Sequence, residues 1–112
     1  MTSEYPDDAD GDALRKVAES GADMSRPMVI DFSIDAPEVQ TARRIAERVS
    51  EHGYDPSMHV SEEDGAVSVY CAKTMLATYE GVIAEQARLN ELCESLGGTC
   101  DGWGTFGNTQ AK

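Results

Sequence analysis

The chain has 112 residues, and its nine Lys and Arg face 21 Asp and Glu, a formal charge of −12. A chain of this length supports one hydrophobic core and not two. Its charge argues against nucleic-acid binding, which is led by Lys and Arg on phosphate.

Residues 1–8 carry Glu4, Asp7 and Asp8 with few apolar groups. They read as an acidic mobile tail, because too little apolar surface is present to offset the entropy of ordering. A single domain is expected over residues 9–108, with 109–112 as a short end. A thin helix begins at Ala9: Asp10 or Asp12 caps it, Leu14, Val17 and Ala18 form its apolar face, and Gly21 ends it. Residues 27–35 alternate, with Met28, Ile30, Phe32 and Ile34 on one face and Val29, Asp31, Ser33 and Asp35 on the other. This is the pattern of a strand with one buried and one polar face. Pro37 is expected in the first turn of a helix whose stripe is Val39, Ala42, Ile45, Ala46 and Val49. Tyr54 to Ser61 reads as an edge strand, since Pro56 cannot donate to a ladder. The Glu62-Glu63-Asp64-Gly65 turn then leads into Val67, Val69 and Cys71. Thr74 is the expected cap of the longest helix, Met75 to Leu96, which Gly97-Gly98 stops. A final strand runs from Thr99 to Phe106.

Without the first helix the order is β-α-β-β-α-β, which predicts an α+β, ferredoxin-like sandwich with a four-stranded antiparallel sheet and two helices on one face. Right-handed crossovers put the first strand between the third and fourth. No apolar run approaches the roughly 20 residues that span a bilayer. Met1-Thr2-Ser3-Glu4 lacks a signal peptide's layout, so a cytoplasmic location is expected. Cys71, Cys93 and Cys100 contain no CxxC pair, and neither His52 nor His59 lies near a cysteine in sequence. They read as small buried hydrophobes rather than metal ligands, and no cofactor is expected.

Candidates for chemistry are few. His52 and His59 read as ordinary exposed histidines. Asp31 and Asp35 share a strand face that Asp101 should approach from the neighbouring strand. Such a carboxylate cluster could do acid–base work or hold a cation, but it fits a solvated sheet face better. Gly102-Trp103-Gly104-Thr105-Phe106-Gly107 spells a dinucleotide fingerprint with no helix after it to receive a pyrophosphate, and is set aside. The glycines weaken a strand, so something must offset them. Either they let the long helix approach the sheet while the rings fill space, or Trp103 and Tyr70 stand on the open face as anchors for a partner.

Four blocks resemble the RraB family of regulators of ribonuclease E activity: Asp10-Gly11-Asp12-Ala13-Leu14, Asp31-Phe32, Cys71-Ala72-Lys73-Thr74-Met75 with Tyr79-Glu80, and Asp101-Gly102-Trp103-Gly104-Thr105-Phe106. The last is the most specific. The resemblance implies a small acidic cytoplasmic protein with a ferredoxin-like sandwich that is not an enzyme. It also implies binding to the carboxyl-terminal scaffold part of ribonuclease E, which reduces RNA cleavage. The resemblance also implies that better-described members continue past the Gly-Trp-Gly block into a long acidic tail. Here that position reads Thr109-Gln110-Ala111-Lys112, and the surplus charge lies at the amino end and on the sheet.

Physical reasoning points the same way. This strand order, with basic and aromatic residues on its open face, recognises RNA. With Asp31 and Asp35 there instead, the face should repel phosphate and attract basic protein segments. The expected partner is therefore a protein, which the resemblance implies to be ribonuclease E or a related RNA-processing enzyme, with no direct nucleic-acid or membrane contact. Asp31, Asp35, Tyr70, Asp101 and Trp103 are the candidate partner-binding residues. The rival reading is a ferredoxin-like dimer enclosing a small ligand or metal between its open sheets.

Overall fold

Four antiparallel strands with three helices packed on one face make up residues 8–105, the part of the chain that the computed structural model describes. The elements are α1 (Ala9–Glu19), β1 (Met28–Ala36), α2 (Val39–Ser50), β2 (Asp55–Val60), β3 (Val67–Met75), α3 (Tyr79–Glu94) and β4 (Thr99–Thr105). Strand order is β2-β3-β1-β4, so β1 lies between β3 and β4 as the crossover rule requires. The sandwich is ferredoxin-like. The expected tail, apart from Asp8, and residues 106–112, including Phe106 and the end segment 109–112, lie outside the described residues.

The alternation in β1 decides the core. Ile30, Phe32 and Ile34 are fully buried against Ala42, Ile45 and Val49 of α2 and Val82, Leu89 and Cys93 of α3. Each large apolar side chain buried in this way contributes roughly 1.5–3 kcal/mol. Tyr54 meets Phe32 edge-on at a centroid distance of 6.5 Å, closing the core below α2. The core side of β4 begins at Gly98, where an added Cβ would come within 2.6 Å of Ile45 Cδ1. The close approach that needs a glycine is therefore here, and not in the Gly-Trp-Gly block.

Three element boundaries differ from expectation. Asp8, not Asp10 or Asp12, caps α1, accepting from the Gly11 amide at 2.8 Å. That leaves the Asp10 side chain available for other contacts. Pro37 precedes the α2 cap, Glu38, rather than sitting in the first turn. The long helix starts four residues late: Thr78, not Thr74, is its cap, and it accepts from the Gly81 amide at 3.0 Å. Thr74 and Met75 stay in β3 because Val29 and Met28 of β1 pair with them, so the two central strands match in length.

Candidate functional site

The sheet's uncovered face is built by register. Asp31, Ser33 and Asp35 of β1 face it, and β3 adds Ser68, Tyr70 and Ala72 as their cross-strand partners. The edge strand β2 contributes Asp55, Ser57 and His59 opposite Ala72, Tyr70 and Ser68. On the other side, Gly104 lies opposite Asp31 and Gly102 opposite Ser33. Since both glycines lack side chains, the face sinks there into an open trough of about 760 Å³, bordered by Asp31, Ser33, Ser57, Tyr70 and Asp101. Tyr70 is 38% exposed, its ring 6.4 Å from that of His59.

Electrostatically the face has one sign. The sole Lys or Arg within the four strands is Lys73, which pairs with Ile30 and therefore points to the core side. Among the described residues, the carboxylates of Asp31, Asp35 and Asp101 have no hydrogen-bond or ion-pair partner. Partial burial, and then the charge of Asp101, hold Asp35 above the ordinary carboxylate range. Like charges sit close together here without relief.

Trp103 contributes to the lining of this trough, but its ring is half-buried against the core rather than standing free on the face as an anchor. The ladder between β1 and β4 slips between Ser33 and Ile34: Ile34 pairs with Cys100 but Ser33 pairs with Gly102, leaving Asp101 as the extra residue of a β-bulge. Side parity flips at the bulge, so Trp103 falls opposite Phe32 and packs against the core. Gly102 takes the positive φ, +127°, that the distorted strand requires. The Trp103 Nε1–H donates to Asp10 Oδ1 at 2.8 Å, and the Gln86 amide donates to the same oxygen at 3.1 Å. With the Tyr79 hydroxyl donating to Asp8 at 2.7 Å and Leu14 fully buried, these bonds dock α1 onto α3 and β4. Of the five candidate residues, Asp31, Tyr70, Asp101 and Trp103 line the trough, Asp35 lies beside it, and the Trp103 indole nitrogen is held by Asp10. Ser33, Ser57, Asp55 and Gly104 belong to the same face and were not anticipated as site residues. Their cue is the period-two register, which becomes usable only once the pairing is known.

The family model described as Regulator of ribonuclease activity B, RraB, matches residues 7–105. The chain belongs to the RraB family. No curated protein matches it. The family's description is that of a regulator of ribonuclease activity, which implies a protein partner. No helix among the described residues is long and apolar enough to cross a membrane.

Within this RraB-family chain, the blocks that carried the resemblance meet in space. The Asp10–Leu14 block and the Asp101–Thr105 block join through the Asp10–Trp103 hydrogen bond. Lys73, from the third block, donates to Glu85 of α3 at 2.9 Å and lies 5.3 Å from the Tyr54 ring centroid. The Tyr54 hydroxyl also donates to Glu85. Burial works against ionisation of Glu85, but the hydrogen bonds from Tyr54 and Lys73 outweigh it and hold the carboxyl below the ordinary range. Burial pushes the Tyr54 phenol up, and the hydrogen bond to Glu85 reinforces this. This cluster ties α3 to β3 and the start of β2. Burial also raises the thiols, Cys71 to about 12 and Cys93 to about 11, and Cys100 in the same direction. Protonated at neutral pH, they serve as packing groups.

Proposed function

We propose that the protein is a non-catalytic regulator that binds a ribonuclease and lowers its cleavage of RNA. The partner is ribonuclease E or a related RNA-processing enzyme, and the binding surface is the open sheet face around Asp31, Asp35, Tyr70 and Asp101. One observation carries this reading: on a scaffold whose open face suits RNA when basic, that face holds four Asp residues and no Lys or Arg. It would repel phosphate and attract an arginine-rich stretch of protein. Charge complementarity of this kind speeds encounter and makes association salt-sensitive, while an aromatic such as Tyr70 holds the complex. Three protonated, unpaired thiols are in keeping with a reducing cytoplasm.

The test is a reconstituted cleavage assay with the source organism's ribonuclease and a labelled RNA. Added protein should slow cleavage and bind the enzyme without binding the RNA, and inhibition should weaken as salt rises. Inhibition reproduced by capture of the RNA itself would sink the reading. A ligand-enclosing dimer of open sheets is disfavoured by the same charges, which such pairing would bring face to face.

A further inference from the structure

We propose that the trough on the open face seats one arginine side chain of the ribonuclease's basic segment, its guanidinium between Asp31 and Asp101 and close to the β4 backbone at Gly104. This rests on the reading above and deepens it, naming the residue type recognised and the place that recognises it.

Gly104 is the starting observation. Gly98 is required by close packing, since a Cβ there would strike Ile45, Cys93 and Ile34. Gly102 is required by its positive φ at the bulge. Gly104 has neither reason: its backbone is not in the left-handed region, and an added Cβ would meet nothing within 4 Å. A glycine in a strand interior weakens the strand against any β-forming residue. The fold therefore gains nothing from this one, while a side chain there would project into the trough.

The surroundings say what fits. Asp31 stands between Gly104 on one neighbouring strand and Ala72 on the other, so the space on both sides of its carboxylate is clear. Asp101 enters the same trough because the bulge displaces it from the ladder. Tyr70 supplies a ring at the opposite wall. Two unpaired carboxylates and a flat aromatic face match a guanidinium, which is planar, donates in a fork and stacks on rings. A lysine ammonium is a more strongly hydrated point charge and uses less of this geometry. At about 760 Å³ the trough is larger than one side chain and open to solvent, leaving room for the backbone that carries the arginine. A second copy of this chain would bring the same carboxylates together, so charge selects a cationic occupant.

Calorimetric titration of the full chain at low salt, with short synthetic peptides of alternating Arg-Ser or Lys-Ser, tests the seat. The Arg peptide should bind about tenfold tighter than the Lys peptide, as expected for a bidentate charged pair over a point charge. Gly104→Val should weaken the Arg peptide by about the same factor while leaving the melting temperature equal or higher. If Val lowers the melting temperature, Gly104→Ala repeats the measurement with a single carbon in the trough. Glu63→Gln, which removes one negative charge in the β2–β3 turn as Asp31→Asn does in the trough, should shift either affinity by less than about twofold. If Gly104→Val changes nothing while Asp31→Asn weakens both peptides alike, the acidic face stands and the arginine seat is overturned. Failure of both peptides to bind the unaltered protein would overturn the docking face as well. A dimer that Gly104→Val dissolves would assign the trough to a second copy and overturn the seat.

Discussion

Strands β1 and β4 carry two surfaces of opposite character on the same short stretches of chain. On the helix side Phe32 and Trp103 pair across the ladder, and the indole nitrogen is satisfied by Asp10. Among the described residues, no buried side-chain nitrogen or oxygen lacks a partner. On the open side, one residue along, Asp31 faces a glycine, and Asp35 is pushed towards protonation by burial and by Asp101. The first surface follows the rules that make a fold stable. The second departs from them, with unpaired like charges and a glycine the backbone does not need. Departures of this kind concentrate where a surface serves something outside the chain.

Core truncation should have the largest effect. Phe32→Ala removes a fully buried ring and should cost about 3–5 kcal/mol, a large share of the roughly 5–15 kcal/mol that holds a domain of this size. Urea unfolding followed by circular dichroism reads it directly. Asp31→Asn, its immediate neighbour on the other face, should stay within about 0.5 kcal/mol of the unaltered protein yet weaken ribonuclease inhibition. A comparable loss of stability from both would break the contrast between the faces.

Next in size is the bond that fastens α1. Asp10→Ala leaves Trp103 Nε1 and the Gln86 amide without their shared acceptor. It should cost about 1–3 kcal/mol and shift the emission of the only tryptophan to longer wavelength as water reaches the ring. Unchanged emission would mean that the indole is held by packing alone.

That bond also marks the limit of what the sequence makes legible. The alternation of Met28 to Asp35 and the stripe of α2 are strong periodic signals, and from them the strand order, the sandwich and the acidic face can be read. Trp103 could not be placed the same way. Counting by twos from Cys100 puts its ring on the open face, and the extra residue at Asp101 reverses the count. A glycine inside a strand pattern was the available hint of a bulge. The start of α3 was ambiguous for another reason. Thr74 and Thr78 are equally good caps four residues apart, and only the pairing of Thr74 with Val29 in space excludes the first.

The smallest effects separate the two faces by pH, because their carboxylates respond with opposite sign. Glu85, on the helix side, has its folded pKa below its ordinary value of 4.5. Its contribution to stability is complete above that value and is lost as pH falls through the depressed one. Asp35, on the open side, has its folded pKa above 3.8. It therefore works against folding at neutral pH, and this penalty disappears as pH falls through the raised value. Unfolding midpoints measured from neutral to about pH 3 should thus fall less steeply in Glu85→Gln, which has no helix-side charge to lose. Asp101→Asn should raise the stability at neutral pH by only about a few tenths of a kcal/mol, since Asp35 is largely exposed and solvent screens the pair. The gain should shrink on acidification as Asp35 takes up its proton in the unaltered protein. A variant that is more stable at neutral pH and a poorer inhibitor would show that the repulsion is the cost of a working surface. A variant that is less stable would show that Asp101 has a structural partner, and the comparison between the faces would fail at that residue.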